Sequence, residues 1–188
     1  MLHMEQKRYK KDYKFEIIEE LLREENHARA IAKKFDVNHM IIVRKFKELL
    51  DINVIDYKQR GKNKVYFLKN SIEAKAYVFK TEHYKVIKVL RYYPILAHIF
   101  VKIQNNKIKL AVLFGSYAKG TADKRSDIDV YVETEDRNLK KELESINSKL
   151  SVKIGKLDLN SLLVKEIIKN HVIIKGVEEF YEKIRFFE

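Results

Sequence analysis

Apolar and polar residues recur with helical spacing in the N-terminal third of the chain. Apolar side chains return every three or four positions from Phe15 to Leu22, which predicts a first helix that fades at REEN. The segment HARAIAKKF carries its apolar residues on one face and predicts a second, short helix. After a turn at DVN, Asn38 suits the N-cap of a third helix, HMIIVRKFKELL, whose Ile42, Phe46 and Leu49 would face a core.

The next segment, VIDYKQRGKNKVYFL, has the two-residue alternation of β-strands. Its centre, the stretch 60–63 (RGKN), is a turn signal, so the pattern predicts a β-hairpin. From Tyr57 to Lys69 the chain has five basic residues and no acidic one. A hairpin of this composition suits a position against nucleic-acid phosphates.

Three helices followed by a basic hairpin resemble the winged helix-turn-helix domains of prokaryotic transcription regulators, over roughly residues 14–69. The resemblance implies binding to double-stranded DNA through the third helix and the hairpin, or wing. The residues predicted to contact nucleic acid are His39, Arg44, Lys45, Lys47, Lys58, Arg60, Lys62 and Lys64. Winged helices also serve as protein-docking or dimerisation modules. Ile41 and Val43 stand where recognition helices often carry Ser or Thr, which keeps that alternative open.

The middle of the chain has the pattern of a long amphipathic helix. Six residues at steps of three or four are predicted to form its packed stripe: Ile72, Ala76, Phe79, His83, Ile87 and Leu90. Pro94 is expected to break or kink this helix, and a second helix is predicted to run to about Ile103. A winged helix that reads a two-fold site needs a dimer interface, so this connector is the candidate element for a homodimer.

The second half begins with a short apolar run, KLAVLF, that predicts a buried strand ending in Gly115-Ser116. The following SYAKG is predicted to start a helix, whose N–H groups and the Ser116 hydroxyl would face the end of the strand. Such a turn can bind phosphate, because Gly115 allows close approach to the backbone. Gly120 is expected to relieve crowding where the helix crosses the sheet.

The segment SDIDVYVET alternates as a strand, which places Asp127 and Asp129 on the same face. Two carboxylates about 6 to 7 Å apart along a strand repel each other unless a cation lies between them, and such oxygen ligands suit Mg²⁺. The alternative is a pair of solvated acids near Lys124 and Arg125. The apolar neighbours Ile128 and Val130 favour the metal site, since they assign the other face of the strand to a core.

Composition narrows the class of protein. The absence of cysteine excludes disulfides, thiolate catalysis and Cys-rich zinc sites. The net charge of +12 is shared by residues 1–70 and 71–188, and it suits polyanionic partners as well as an ordinary solvated surface. No stretch of about 18 uncharged apolar residues is present, and the N-terminus shows no export signal. We therefore expect a cytoplasmic protein that does not enter a membrane.

The pattern Gly-Ser, three residues, Gly, five residues, Ser-Asp-Ile-Asp resembles the signature of the DNA polymerase beta-like nucleotidyltransferases, in their minimal form, over about residues 108–183. The residues that match the signature are Gly115, Ser116, Gly120, Ser126, Asp127 and Asp129. In that family a third carboxylate on a later strand completes the metal site. Asp158 in KLDLN is the preferred candidate here, and Glu133 is the alternative.

The resemblance implies nucleotidyl transfer with two Mg²⁺ ions and a nucleoside triphosphate, in the first place ATP. Asp127 and Asp129 would bridge the ions, and Asp158 would bind the ion nearer the acceptor. The nucleotide would be held by Gly115 and Ser116, with Gly120 and Ser126 as further members of the motif.

Together these features predict an α/β (α+β) protein in three parts. They are a winged helix-turn-helix domain (1–70), a helical connector (71–106) and a nucleotidyltransferase domain (107–188) with a mixed sheet flanked by helices. The predicted function is AMP transfer from ATP to a protein, nucleic-acid or small-molecule hydroxyl. The alternatives are a DNA-binding regulator that only senses a nucleotide and, by family analogy, an autoregulating antitoxin that modifies a partner toxin.

Overall fold

The computed structural model describes residues 11–188. The chain divides into two units, Met1–Thr81 and Glu82–Glu188. The first ten residues, on which the predicted absence of an export signal and the start of the 1–70 domain depend, lie outside the described residues. Each unit has its own secondary structure and core.

Within residues 11–81 the first unit has three helices and a two-stranded sheet, followed by the start of a long fourth helix. Its elements are α1 (Tyr13–Leu21), α2 (Ala28–Phe35), α3 (His39–Asp51), β1 (Ile55–Arg60), β2 (Asn63–Leu68) and α4 (Ile72–Tyr92). The strands β1 and β2 are antiparallel, with Arg60 opposite Asn63 at the turn. This is the predicted winged helix-turn-helix order.

Polar caps and a shared aromatic contact hold this unit together. Asp12, His27 and Asn38 accept hydrogen bonds from backbone N–H groups in the first turns of α1, α2 and α3, so the N-cap predicted at Asn38 is confirmed. The predicted core face of α3 is buried. Its Phe46 stacks on Tyr66 of β2 with ring centroids 4.0 Å apart, which fixes the hairpin against the helix.

The second unit contains the end of α4, five further helices and a four-stranded sheet. Its elements are α5 (Leu96–Gln104), β3 (Ala111–Phe114), α6 (Gly115–Lys119), β4 (Ile128–Glu133), α7 (Arg137–Glu144), β5 (Leu150–Gly155), α8 (Leu162–Lys169), β6 (Val172–Lys175) and α9 (Val177–Lys183). The strand order is β5-β4-β3-β6. Strands β4 and β5 are parallel, whereas β3 is antiparallel to β4 and β6. The predicted mixed sheet flanked by helices is confirmed.

Side-chain alternation gives this sheet one fully apolar face. Ile128, Val130 and Val132 of β4 are all buried, in one cluster with Leu113 of β3 and residues of α5. The intervening positions of β4 therefore face the opposite side of the sheet. That side carries Asp129 and is where the candidate chemistry lies.

The long helix α4 ends at Tyr92 and α5 starts at Leu96, so the break predicted at Pro94 is confirmed. The packed stripe predicted for α4 is wrong at four of its six positions, and only Phe79 and Leu90 are half-buried. Ile72 and Ile87 are 75% and 50% exposed, and His83 is also exposed. The buried positions are instead Ala74, Val78, Thr81, Glu82, Tyr84, Lys85 and Val89. The buried face includes two charged residues, Glu82 and Lys85, so apolar spacing alone does not identify it.

Those charges belong to a buried polar cluster in the second unit. Glu82 is fully buried and accepts a hydrogen bond of 2.7 Å from the Tyr181 hydroxyl, while Lys85 Nζ lies 2.8 Å from its other carboxylate oxygen. His171 Nε2 lies 3.4 Å from Glu82. Burial alone would raise the pKa of Glu82, but Lys85 and His171 more than offset it and lower the pKa to about 2. The cluster connects the middle of α4 with the residue before β6 and with α9.

In residues 11–188 no helix has the length and apolar character needed to cross a bilayer.

Candidate active site

A tight turn at the end of β3 lies directly against the carboxylate of Asp129. Phe114, the last residue of β3, pairs with Asp129 across the antiparallel β3–β4 ladder. The next residue, Gly115, has a φ of +70°, and a Cβ atom there would lie 2.6 Å from Asp129 Oδ2. Glycine is therefore required both by the left-handed backbone and by the close approach of the carboxylate.

Asp129 is the second residue of β4, on the side of the sheet opposite the apolar cluster, and Asp127 directly precedes this strand. Asp127 is exposed and Asp129 is half-buried. Burial raises the pKa of Asp129, the negative charge of Asp127 adds to the rise, and the Lys153 ammonium opposes it. The two carboxylates thus repel each other at a partly desolvated position, which is the electrostatic setting in which a bound cation is stabilising.

The other small residues of the motif have local structural roles. Gly120 is the left-handed C-cap of α6, with φ +73°. A Cβ there would meet nothing within 4 Å, so the crowding expected at this glycine is wrong, and its backbone conformation explains it. Ser126 Oγ accepts a hydrogen bond from the backbone N–H of Asp123 at 2.9 Å and lies 3.2 Å from the Asp123 carboxylate. Ser126 therefore closes the turn that leads into β4.

The structure does not bring Asp158 to this pair. Asp158 follows the end of β5 by three residues, and Gly155, the last residue of that strand, pairs with Glu133. Glu133 is itself four residues from Asp129, which is about 13 Å along a strand. The Asp158 carboxylate accepts a hydrogen bond of 3.0 Å from the Asn160 N–H and so shapes the turn before α8. Because the parallel register carries Asp158 past Asp129, its expected role as the third metal ligand stays a prediction.

Glu133, the alternative third acid, shares the face of Asp129 as expected but lies at the other end of β4. It forms an ion pair of 3.2 Å with Lys183 and accepts a hydrogen bond of 3.3 Å from the Leu157 N–H. Within residues 11–188 no group of three or more His, Cys, Asp or Glu side chains is arranged to hold a metal ion. The described residues therefore offer the two carboxylates of the Asp-x-Asp pair, which suit one hard divalent cation, and they do not assemble the three-carboxylate centre that two ions were expected to need.

Sequence reasoning missed the residues of β5 that flank the pair. Ser151 pairs with Asp129, and Lys153 pairs with Tyr131, so both share the face of the Asp-x-Asp pair. Lys153 is exposed. No signal in the sequence could have identified these neighbours, because the register of β5 on β4 joins segments about twenty residues apart.

The predicted nucleic-acid residues divide into exposed and internally paired ones. Arg44, Lys47, Arg60, Lys62 and Lys64 are exposed, whereas His39, Lys45 and Lys58 are partly covered. Lys45 forms an ion pair of 2.6 Å with Glu48, and this contact lowers the pKa of Glu48. Lys58 and Arg60 pair with Glu25 at 2.5 and 3.4 Å. The side chain of Lys64 lies over the Tyr57 ring, 3.9 Å from its centroid.

The second unit is similar to known nucleotidyltransferases. Residues 97–180 match the family described as Polymerase beta, Nucleotidyltransferase. A protein of Methanocaldococcus jannaschii that is named as a candidate protein adenylyltransferase is 42% identical over 74 residues. That match spans 39% of this chain and 60% of the relative's length. Nucleotidyl transfer is therefore the enzyme class that this part of the chain resembles.

Two solved structures are more distant. The adhesin competence repressor of Streptococcus pyogenes has a TM-score of 0.40 at 13% identity, covering 48% of this chain and 68% of that one. A toxin-antitoxin crystallised with AMP-PNP has a TM-score of 0.35 at 26% identity, covering 56% of this chain and 81% of that one. Both matches cover less than 60% of this chain.

Proposed function

We propose that this protein transfers AMP from ATP to a hydroxyl group of a protein, with a divalent metal ion at Asp127 and Asp129. One observation carries the proposal: the Gly115 turn lies against the Asp129 carboxylate, which is close enough to Asp127 for the two negative charges to repel. The match of residues 97–180 to nucleotidyltransferases supports the same reaction. The name of the 42%-identical relative supports a protein as the acceptor.

The residues of the site have separable tasks in this proposal. Asp127 and Asp129 would hold one Mg²⁺, which, when bound, supplies positive charge against the triphosphate. The backbone at Gly115 and the Ser116 hydroxyl would orient the phosphates. The acceptor oxygen forms a bond to the α-phosphorus, the bond to the pyrophosphate oxygen breaks, and pyrophosphate leaves with the electron pair while the acceptor proton passes to solvent.

We assign the first unit to binding double-stranded DNA, through α3 and the hairpin. The exposed Arg44, Lys47, Lys62 and Lys64 support this assignment, since cations that are not held by acidic partners can neutralise phosphates. Met40 and Ile41 of α3 are 53% and 37% exposed, which favours a protein contact as the alternative. A homodimer, a cytoplasmic location and a partner toxin as the acceptor protein belong to the same proposal.

A second candidate function is that of a DNA-binding regulator that binds a nucleotide without transferring it. The specific observation in its favour is the absence of a third carboxylate beside Asp127 and Asp129 in the part of the chain that the structure describes. The two functions differ in whether label from ATP reaches an acceptor.

The deciding experiment incubates the full chain with cell extract, Mg²⁺ and ATP labelled either on the α- or on the γ-phosphate. AMP transfer predicts a labelled protein with the α-label and none with the γ-label. The double variant Asp127→Ala, Asp129→Ala should abolish labelling. Asp158→Ala is the matched control, and it should label normally because this carboxylate lies at the other end of the sheet.

Three other outcomes of the labelling experiment would contradict parts of this proposal. Nucleotide binding without labelling would establish the regulator instead. Labelling from the γ-phosphate alone would mean phosphate transfer and would reject AMP transfer. Loss of labelling in Asp158→Ala with retained fold would restore Asp158 to the site and reject the placement described above.

A further inference from the structure

Strand β5, beside the Asp-x-Asp pair, carries the hydroxyl of Ser151 and the ammonium of Lys153. A site for two metal ions was expected to have a third carboxylate on this later strand. Ser151 lies opposite Asp129 in the parallel β4–β5 ladder, and Lys153 lies opposite Tyr131, two residues further along. Residues in register on adjacent strands, and residues two apart on one strand, share a face. Asp129, Ser151 and Lys153 therefore project from the same side of the sheet.

The strand order gives the site two distinct sides. Strand β4 lies between β3 and β5, so the Gly115 turn borders the carboxylate pair on one side and Lys153 borders it on the other. If the triphosphate lies on the turn, the β5 side is where an acceptor reaches the α-phosphorus. Lys153 is thus on the acceptor side of the pair.

The charges around Asp129 are consistent with this division. Lys153 lies on the strand beside Asp129 and on the same sheet face, so its positive charge attracts that carboxylate. Lys153 makes no ion pair of its own within the described residues and is exposed, so its ammonium group is available to a substrate. By contrast Lys156, three residues later, lies 3.7 Å from Glu135 at the far end of the strand.

We propose that the site takes a single divalent ion, on Asp127 and Asp129, and that the Lys153 ammonium replaces a second ion on the acceptor side. This inference rests on the proposed function and adds the identity of the second cation. As the acceptor oxygen bonds to the α-phosphorus and loses its proton to solvent, Lys153 stabilises the negative charge that develops there. The Lys153 ammonium also disfavours a second divalent ion on the same face, because the two positive charges repel.

The test counts metal ions rather than turnover. Mn²⁺ and α,β-methylene-ATP, which cannot release pyrophosphate, are titrated together, and protein-bound Mn²⁺ is measured per bound nucleotide by ultrafiltration. The wild type should bind one Mn²⁺. Lys153→Glu adds the missing carboxylate and should bind two, whereas the matched control Lys156→Glu should remain at one.

A second variant, Lys153→Ala, tests the same role in case Lys153→Glu does not fold. In the absence of nucleotide, Lys153→Ala should bind Mn²⁺ on the order of tenfold more tightly than wild type, because one repelling charge is removed. Lys156→Ala should bind Mn²⁺ as wild type does. Circular dichroism would establish that each variant is folded.

The outcomes separate this inference from the proposed function. Two Mn²⁺ ions in the wild type, one in folded Lys153→Glu, or an unchanged affinity in Lys153→Ala would each overturn the role of Lys153 and leave the transferase intact. A wild type that binds neither nucleotide nor Mn²⁺ would overturn both.

Discussion

Replacing Gly115 by alanine tests the closest contact in the candidate site. Gly115 has φ +70°, so a Cβ introduces strain of roughly 1–2 kcal/mol in a left-handed conformation. The same Cβ would lie 2.6 Å from Asp129 Oδ2. Since ordinary Cβ contacts begin at 3.4 Å, the carboxylate would have to retreat by about 0.8 Å. A displacement of this size at a metal ligand should weaken metal–nucleotide binding well beyond the loss of stability.

Gly120→Ala supplies a matched control. Gly120 has nearly the same φ, +73°, but a Cβ there meets nothing within 4 Å. Both variants should therefore lose about 1–2 kcal/mol of unfolding free energy, measured by urea denaturation. Only Gly115→Ala should lose Mn²⁺-dependent ATP binding, by at least tenfold in a calorimetric titration. Equal ATP affinity in the two variants would refute the argument that the turn and Asp129 form one site.

Two further predictions concern the buried cluster and the wing. Glu82→Gln should cost about 3–5 kcal/mol of stability at pH 7, because it leaves buried Lys85 without its partner, whereas Glu135→Gln at an exposed pair should have no measurable effect. The pKa of Glu82 is lowered to about 2 in the folded protein, below the unfolded value of 4.5. Ionised Glu82 therefore stabilises the folded protein fully above pH 4.5, and this stabilisation is lost as the pH falls from about 5 towards 2. When urea denaturation is measured across that range, the free energy of unfolding should depend less on pH in Glu82→Gln than in the wild type. An unchanged pH dependence would contradict the role of Glu82 in the buried cluster. In the wing, the double variant Lys62→Ala, Lys64→Ala should weaken binding to any duplex DNA and reduce the slope of log affinity against log salt by about two. An unchanged slope in fluorescence anisotropy would favour the protein-docking alternative.

Much of the architecture follows from local pattern, and the winged helix shows why. Asn38 offers a side-chain acceptor to the N–H groups of α3, and the apolar spacing of Ile42, Phe46 and Leu49 defines the buried face of that helix. Both signals act over a few residues. The break between α4 and α5 could also be predicted from the sequence, because Pro94 interrupts helical hydrogen bonding.

Local sequence patterns did not predict which face of α4 is buried. Apolar spacing assigned Ile72 and Ile87 to the packed face, yet both are exposed, while Glu82 and Lys85 are buried. A charged residue becomes a core residue only when its partners are in place. Those partners, His171 and Tyr181, lie about ninety to one hundred residues away along the chain, in contact with Glu82 in the folded unit.

The same division holds at the candidate site. The sequence alone determined that Asp129 lies on the polar face of a strand and that a glycine-containing turn precedes it, because strand alternation and turn chemistry are local properties. Only the tertiary structure decided which residues stand beside the pair. The register of β5 on β4 carries Asp158 past the site and places Ser151 and Lys153 there instead. Strand pairing depends on contacts between segments distant in sequence, so a shift of a few residues changes the chemistry of a site without changing any local pattern.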